Sequence, residues 1–81
     1  MTVEELINAL QQFDPKLRVI MRGYEGGYND ANYAELQKVA LDVHTAWYLG
    51  KHEDTDASLI KDRLDQYITE NGVLIDCRRT Y

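Results

Sequence analysis

Cysteine and serine are almost absent from this sequence, and their scarcity excludes several kinds of protein. Its 81 residues contain one cysteine, Cys77, so an internal disulfide framework and a cysteine-rich zinc site are both excluded. The one serine, Ser58, lies in the first turn of a predicted helix, where a capping role explains it. Cys77 falls in a predicted strand, where thiols are usually inert. We therefore expect a protein of a reducing compartment that is not an enzyme.

Basic residues and long apolar runs are also scarce. Nine Lys and Arg residues stand against 14 Asp and Glu residues, which gives a formal net charge of -5. That balance argues against binding to a phosphate backbone, so we expect no direct contact with nucleic acid. No apolar run approaches the roughly 20 residues that span a bilayer. The segment MTVEELINAL carries acids where a signal peptide carries positive charge.

These features together predict a cytoplasmic protein with no membrane contact. A moderate negative charge keeps a small domain soluble, which is its simplest explanation. The alternative is that an acidic surface meets a basic partner.

The candidate metal ligands form no recognisable site. The spacing of His44, His52 and Cys77 matches no zinc pattern. The oxygen donors of residues 25–30 do not alternate at every second position, as the ligands of a calcium loop do. We predict neither a metal nor an organic cofactor.

The N-terminal segment predicts an amphipathic helix. Thr2 and Glu5 have the spacing of a capping box. A stripe of apolar residues follows at helical spacing: Val3, Leu6, Ile7, Leu10 and Phe13. The helix should end at Asp14-Pro15, because the residue before a proline avoids the helical conformation. A helix this short is marginal in water, so its stripe should lie on the strand that follows.

Three later segments favour strands. Residues 17–22, LRVIMR, alternate in the manner of a strand. Residues 36–48 fit a strand or a helix, and their β-branched and aromatic content favours the strand. The last strand is expected over residues 73–79, VLIDCRR. Residues 50–56, which lie before a predicted helix, are expected to form an acidic surface loop.

The second predicted helix covers residues 57–72. Asp56 can cap it, and Asn71-Gly72 is a common C-terminal stop. Its apolar residues at helical spacing are Leu59, Ile60, Leu64, Tyr67 and Ile68.

The order α-β-β-α-β predicts an α+β fold. Residues 1–81 should form a single globular domain, in which about three strands are covered by two helices, since each apolar stripe needs a partner layer. The connection from Tyr48 through the second helix to Val73 is long enough for a crossover. The last strand could therefore run parallel to a neighbour.

The most unusual stretch is residues 23–33, which we call the tyrosine loop. It is polar and rich in glycine, so no regular element is expected there. The Gly26-Gly27 step permits a tight reversal, but the spacing of phosphate-binding glycine motifs is absent. Tyr24 and Tyr28 resemble the aromatic contacts of recognition loops. The alternative is that both rings fold back over the sheet edge as a lid.

Residues 2–30, TVEELINALQQFDPKLRVIMRGYEGGYND, resemble the opening of a group of short uncharacterised bacterial, phage and mobile-element proteins. In that group a T-V-x-E-L-I-x-x-L helix leads to a strand and a G-Y-E-G-G-Y-x-D loop. The resemblance covers about the first third of the chain. It implies a bacterial or phage setting and makes the tyrosine loop a feature of the group, but it carries over no activity.

Three functional hypotheses follow. The first is a non-catalytic interaction module that contacts a protein partner, for example a host protein blocked by a phage. Its predicted binding residues are Tyr24, Glu25, Gly26, Gly27, Tyr28, Asp30 and Tyr33. The second is a small-ligand domain in which the same loop closes over a nucleotide or metabolite. The third is a structural homodimer that pairs through exposed sheet edges.

Overall fold

The structure, a computed structural model, describes residues 1–78 and confirms the α+β class. These residues form one α-helix, one 3-10 helix and five strands in two small antiparallel sheets. The chain divides into two compact units. Unit 1 comprises Met1–Ala34 and the C-terminal residues from Ile75, and unit 2 comprises Glu35–Leu74. No helix within residues 1–78 has both the length and the apolar composition to cross a bilayer.

Helix α1, Val3–Leu10, begins as the sequence predicts. Glu5 N–H donates to Thr2 Oγ1 at 3.1 Å, and Thr2 N–H donates back to Glu5 Oε1 at 3.4 Å. The capping box therefore satisfies two amide groups that the first turn leaves without helical partners. The predicted end at Asp14-Pro15 is wrong. The helix ends at Leu10, because the N–H of Phe13 bonds to Leu10 O in a 3-10 turn and does not continue the α-helical ladder.

A short hairpin of unit 1 follows the helix. Strand β1, Ile20–Arg22, pairs antiparallel with strand β2, Tyr28–Asp30. β1 is shorter than the predicted strand 17–22. The expectation that the tyrosine loop holds no regular element is also wrong, because glycines at its tip reverse the chain and let residues 28–30 pair with β1.

The second sheet has three strands in the order β4-β3-β5. They are β3, Tyr33–Ala40, β4, Glu53–Asp54, and β5, Thr69–Asp76. β3 ends eight residues before the predicted limit at Tyr48 because the chain turns at Asp42, whose φ is 54°. Residues 53–54 of the predicted acidic loop pair with β3.

Strands β3 and β5 are antiparallel. The last strand therefore does not run parallel to its neighbour, although the length of the connection had allowed it. The N–H of Leu41 donates to Ile68 O at 2.8 Å, and the N–H of Asn32 donates to Asp76 O at 3.0 Å. The residue numbers therefore rise on one strand as they fall on the other. The connection between them is a succession of turns and a 3-10 helix, and it provides no crossover of the kind that joins parallel strands.

The prediction of a second helix over residues 57–72 is also wrong, both in its length and in the kind of helix. Only Lys61–Gln66 are helical, and they form a 3-10 helix interrupted at Arg63. No side chain caps it, and Asn71-Gly72 lie inside β5. Pairing of residues 69–76 with β3 removes the last turn of the predicted helix, and the remainder is too short for an α-helix to be stable alone. Residue 79 of the predicted last strand lies outside the described residues.

Within residues 1–78, the side chains that are buried belong to unit 2. Ala40 and Ile60 are fully buried, and Thr55 is the buried polar residue. In unit 1, none of residues 1–34 and 75–78 is fully buried. The expectation that the stripe of α1 lies on the following strand is therefore wrong. β1 has only three residues, of which Met21 alone is even half-buried, so it offers no surface large enough to cover the helix.

Candidate functional site

The five residues Gly23–Gly27 form the turn between β1 and β2, and we call them the hairpin loop. The N–H of Gly23 donates to Gly27 O at 2.9 Å and closes the turn. Gly26 and Gly27 have φ angles of 151° and 65°, which side-chain-bearing residues rarely adopt. A Cβ atom on Gly23 would lie 2.3 Å from Gly26 O. All three glycines are therefore required by the shape of the loop.

The two tyrosines of this hairpin are exposed. The exposed fractions of Tyr24 and Tyr28 are 99% and 65%. The alternative in which both rings fold back as a lid over the sheet edge is not what the structure shows. A closed backbone turn thus presents two phenol rings to solvent, and each ring offers a large contact area with a polar tip.

The two acids predicted for the site have different surroundings. Arg18 Nη1 donates to both carboxylate oxygens of Asp30, at 2.9 and 3.2 Å, and so neutralises it. Glu25 is exposed at the tip and has no ion pair with any of residues 1–78. Glu25, and not Asp30, is therefore the acid available to a partner.

Tyr33 does not belong to the exposed group. It is half-buried at the start of β3, and the Arg78 guanidinium lies 4.3 Å from the centre of its ring. Arg78 is held there by Asn32, whose side chain accepts from Arg78 N–H at 2.6 Å and donates to Arg78 O at 2.9 Å. This cation–π arrangement gives Tyr33 a structural role.

Unit 2 carries a second exposed aromatic group, in a segment for which the sequence predicts a strand. Trp47 is 93% exposed, and its ring meets that of Tyr48 edge-on at 5.7 Å. The N–H of Leu49 donates to Ala46 O at 3.1 Å, which places these rings on a turn. The signal in the sequence is the run Trp47-Tyr48-Leu49, because a half-buried strand would alternate such residues with polar ones.

Both histidines are used within unit 2. His44 Nε2 lies 2.7 Å from Glu53 Oε2, and His52 Nδ1 accepts the N–H of Asp42 at 3.0 Å. The hydrogen bond from His44 lowers the pKa of the Glu53 carboxyl, and the N–H of Asp54 lowers it further. Within residues 1–78, no three His, Cys, Asp or Glu side chains are grouped to hold a metal ion.

Two apolar grooves lie beside the C-terminal end of α1. One has a volume of about 320 Å³, and its lining residues include Leu10, Phe13 and Val19. The other shares Leu10, Phe13 and Pro15 with it and extends to Ile7. Neither groove includes a residue of the hairpin loop. The sequence predicted an apolar stripe here but not its exposure, which depends on what the rest of unit 1 leaves uncovered.

The candidate site of unit 1 is thus the exposed tip of the β1–β2 hairpin, with Tyr24, Glu25 and Tyr28 as its accessible side chains. Comparison of the chain with protein-family models, with curated proteins and with solved structures finds no match.

Proposed function

We propose that this chain is a non-catalytic protein-binding module that contacts its partner through Tyr24, Glu25 and Tyr28. The observation that carries the proposal is the exposure of both tyrosine rings on a turn whose backbone is closed by the Gly23–Gly27 hydrogen bond. A turn held in one shape loses little conformational entropy on binding, so more of the contact energy appears as affinity.

A protein partner suits this geometry better than a small molecule. Ligand sites are concave and surround most of the ligand, whereas the tyrosines project from a hairpin tip and line neither apolar groove. Tyrosine is among the residues that contribute most binding energy at protein interfaces. Binding of a nucleotide or metabolite remains the alternative function, and a thermal-shift screen tests it, because a ligand specific for the folded state raises the melting temperature.

Glu25 at the tip favours a partner that places a basic residue opposite it. Asp30 is already neutralised by Arg18, while Glu25 is free to pair with a lysine or arginine of the partner. The net charge of -5 would attract a partner whose own net charge is positive. In the bacterial or phage setting that the resemblance implies, a host protein is the natural candidate.

The experiment begins with affinity capture from a bacterial lysate, followed by identification and purification of the captured protein. Its affinity for the wild-type chain, Tyr24→Ala and Tyr28→Ala is then measured by isothermal titration calorimetry. If the rings are central contacts, each variant should weaken binding by about 30-fold or more. Ile68→Ala is the matched control, because Ile68 is an exposed apolar residue of unit 2.

Affinities within about twofold of wild type for both tyrosine variants would contradict the proposal. Tyr48→Ala is measured as a further variant, and a loss of binding confined to it would instead assign the contact to the Trp47–Tyr48 turn of unit 2. Circular dichroism spectra of the variants establish that each remains folded, which is expected because both hairpin rings are exposed.

A further inference from the structure

The exposed rings of unit 2 lie on a loop, residues 42–52, that leaves β3 and leads to β4. We call it the aromatic loop. Its two ends are joined by backbone hydrogen bonds, because the N–H groups of Val43 and His44 both donate to Lys51 O, at 2.8 and 3.0 Å. We call these joined ends the neck. The contacts of the neck therefore decide how firmly the Trp47 ring is held.

His52 adds a side-chain hydrogen bond to the neck. Its Nδ1 lies 3.0 Å from the backbone nitrogen of Asp42. A backbone N–H can only donate, so Nδ1 must accept, and an imidazole nitrogen accepts only while it carries no proton. In a protonated histidine both ring nitrogens are donors. The bond between His52 and Asp42 therefore exists while the ring is neutral and is lost when the ring gains a proton.

His44 responds to acid in the opposite way. Its Nε2 lies 2.7 Å from Glu53 Oε2, and a carboxylate oxygen accepts, so Nε2 carries the proton. A second proton adds to the other ring nitrogen and strengthens this bond, because both groups are then charged. The hydrogen bond from His44 also lowers the pKa of the Glu53 carboxyl, so Glu53 stays ionised in the range where histidines titrate. Acid thus removes the bond at His52 and keeps the bond at His44.

The backbone of Asp42 is strained, so it has a reason to move once the bond to His52 is lost. Its φ of 54° lies in the left-handed region, which costs free energy for a residue with a side chain and persists only where surrounding contacts hold it. Those contacts include the bond to His52 and an ion pair with Lys51 Nζ at 3.4 Å. The ion pair is exposed and therefore contributes little. The bond to His52 is the restraint that acid removes.

The carboxylates beside the neck already have donors. That of Asp42 is in the ion pair described above, and those of the β4 residues Glu53 and Asp54 accept hydrogen bonds. Glu70 belongs to β5, which lies on the opposite side of β3 from β4. A protonated His52 would have to compete for a carboxylate, and in turning towards one it would direct Nδ1 away from the Asp42 N–H.

We propose that the neck of the aromatic loop is a pH-sensitive latch, closed by neutral His52 and released when His52 is protonated. Release allows Asp42 to leave the left-handed conformation, so the rings of Trp47 and Tyr48 lose their fixed position. Rings that are held in place bind at a lower entropic cost than mobile ones, so acid would weaken a contact made through this turn. The latch lies in unit 2 and does not depend on the hairpin loop of unit 1.

Amide hydrogen exchange of the full chain, followed by NMR at about pH 7.5 and about pH 5.5, tests the latch across the range in which histidine titrates. The measured quantity is the protection factor of the Asp42 N–H, which is the exchange rate of an unstructured peptide at the same pH divided by the observed rate. It should fall about 3- to 10-fold in acid, as expected for the loss of one ordinary hydrogen bond. The N–H of Leu41, which donates to Ile68 O, is the internal control and should keep its protection.

His52→Asn is the matched variant, because Oδ1 of asparagine takes the place of Nδ1 and accepts a hydrogen bond in both conditions. Its Asp42 protection factor should differ by less than about twofold between them. His52→Ala should show the low acid value of the wild type in both conditions. Trp47 is the one tryptophan of the chain, so its fluorescence anisotropy reports the mobility of the turn. The anisotropy should fall in acid for the wild type and stay constant for His52→Asn.

Equal protection of the Asp42 N–H in both conditions would overturn the proposal for the wild-type chain. An acid-induced loss in His52→Asn as large as that of the wild type would also overturn it, because the proton on His52 would then not be the cause. A loss that Leu41 shares would show general unfolding and not release of the neck. A constant anisotropy of Trp47 in the wild type would equally refute the latch, because the rings would then not be released.

Discussion

One guanidinium nitrogen of Arg18 donates to both carboxylate oxygens of Asp30, at distances of 2.9 Å and 3.2 Å. Asp30 is the last residue of β2 and pairs with Ile20 at the open end of the hairpin. Arg18 also lines one of the apolar grooves. This ion pair therefore links the base of the hairpin to the edge of the groove within unit 1, and it removes Asp30 from the charges that a partner can use.

Loss of this ion pair should cost little stability. Both side chains are exposed, and exposed ion pairs contribute about 0.2–1 kcal/mol. Arg18→Ala should therefore lower the free energy of unfolding by less than about 1 kcal/mol, and the difference should shrink in high salt. Urea denaturation at low and high salt measures both effects. Lys51→Ala, which removes the exposed Lys51–Asp42 pair, is the control. A loss above 2 kcal/mol would show that the pair does more than we infer.

The shape of the hairpin loop should depend on Gly23. A methyl group there would lie 2.3 Å from Gly26 O, so Gly23→Ala must distort the turn. We expect Gly23→Ala to lower the free energy of unfolding by about 1–3 kcal/mol and to weaken partner binding, even though both tyrosines are present. Gly50→Ala is the matched control, because a methyl group at Gly50 meets no atom within 4 Å. Urea denaturation measures the change in stability, and calorimetry measures the change in partner affinity. Equal stability and equal affinity of Gly23→Ala and Gly50→Ala would contradict the requirement for glycine at position 23.

Acid should weaken unit 2 through Glu53. Its pKa is lowered in the folded protein, first by the hydrogen bond from His44, so below its ordinary value of 4.5 the unfolded chain binds more protons at this group. Stability from Glu53 is therefore complete above about pH 4.5 and is lost as the pH falls through the lower folded value.

The measurement for Glu53 is the free energy of unfolding between pH 3 and 7, set by the range in which carboxyl groups titrate. The free energy of unfolding of Glu53→Gln should fall less steeply than that of the wild type below about pH 4.5. Asp62→Asn serves as the control for the removal of one carboxylate, since Asp62 is exposed on the 3-10 helix and forms no ion pair with any of residues 1–78. Parallel curves for Glu53→Gln and wild type would contradict the expected linkage.

Ile60 should be the most sensitive apolar position of unit 2, because it is fully buried. Ile60→Ala should lower the free energy of unfolding by about 2–5 kcal/mol, which combines lost burial with the cavity left behind. The neighbouring Leu59 is exposed, so Leu59→Ala should cost less than about 1 kcal/mol. Urea denaturation followed by circular dichroism compares the pair, and similar losses would show that Ile60 does not anchor the core.

The sequence by itself determined those features that depend on near neighbours in the chain. Thr2 and Glu5 form the capping box because their bonds span only three residues. The reversal at Gly26-Gly27 follows from the freedom of glycine to take positive φ, whatever surrounds it. The α+β class follows from the two kinds of apolar periodicity along the chain.

Only the tertiary structure decided which of two local possibilities was realised. Residues 69–72 fit the end of a helix, yet they lie in β5 because hydrogen bonds to β3, some 30 residues earlier in the chain, take precedence over local propensity. The exposure of Tyr24 and of the stripe of α1 likewise depends on which surfaces the rest of the chain covers. Periodicity states which residues share a face, but burial requires a second surface, and its position is a property of the folded chain.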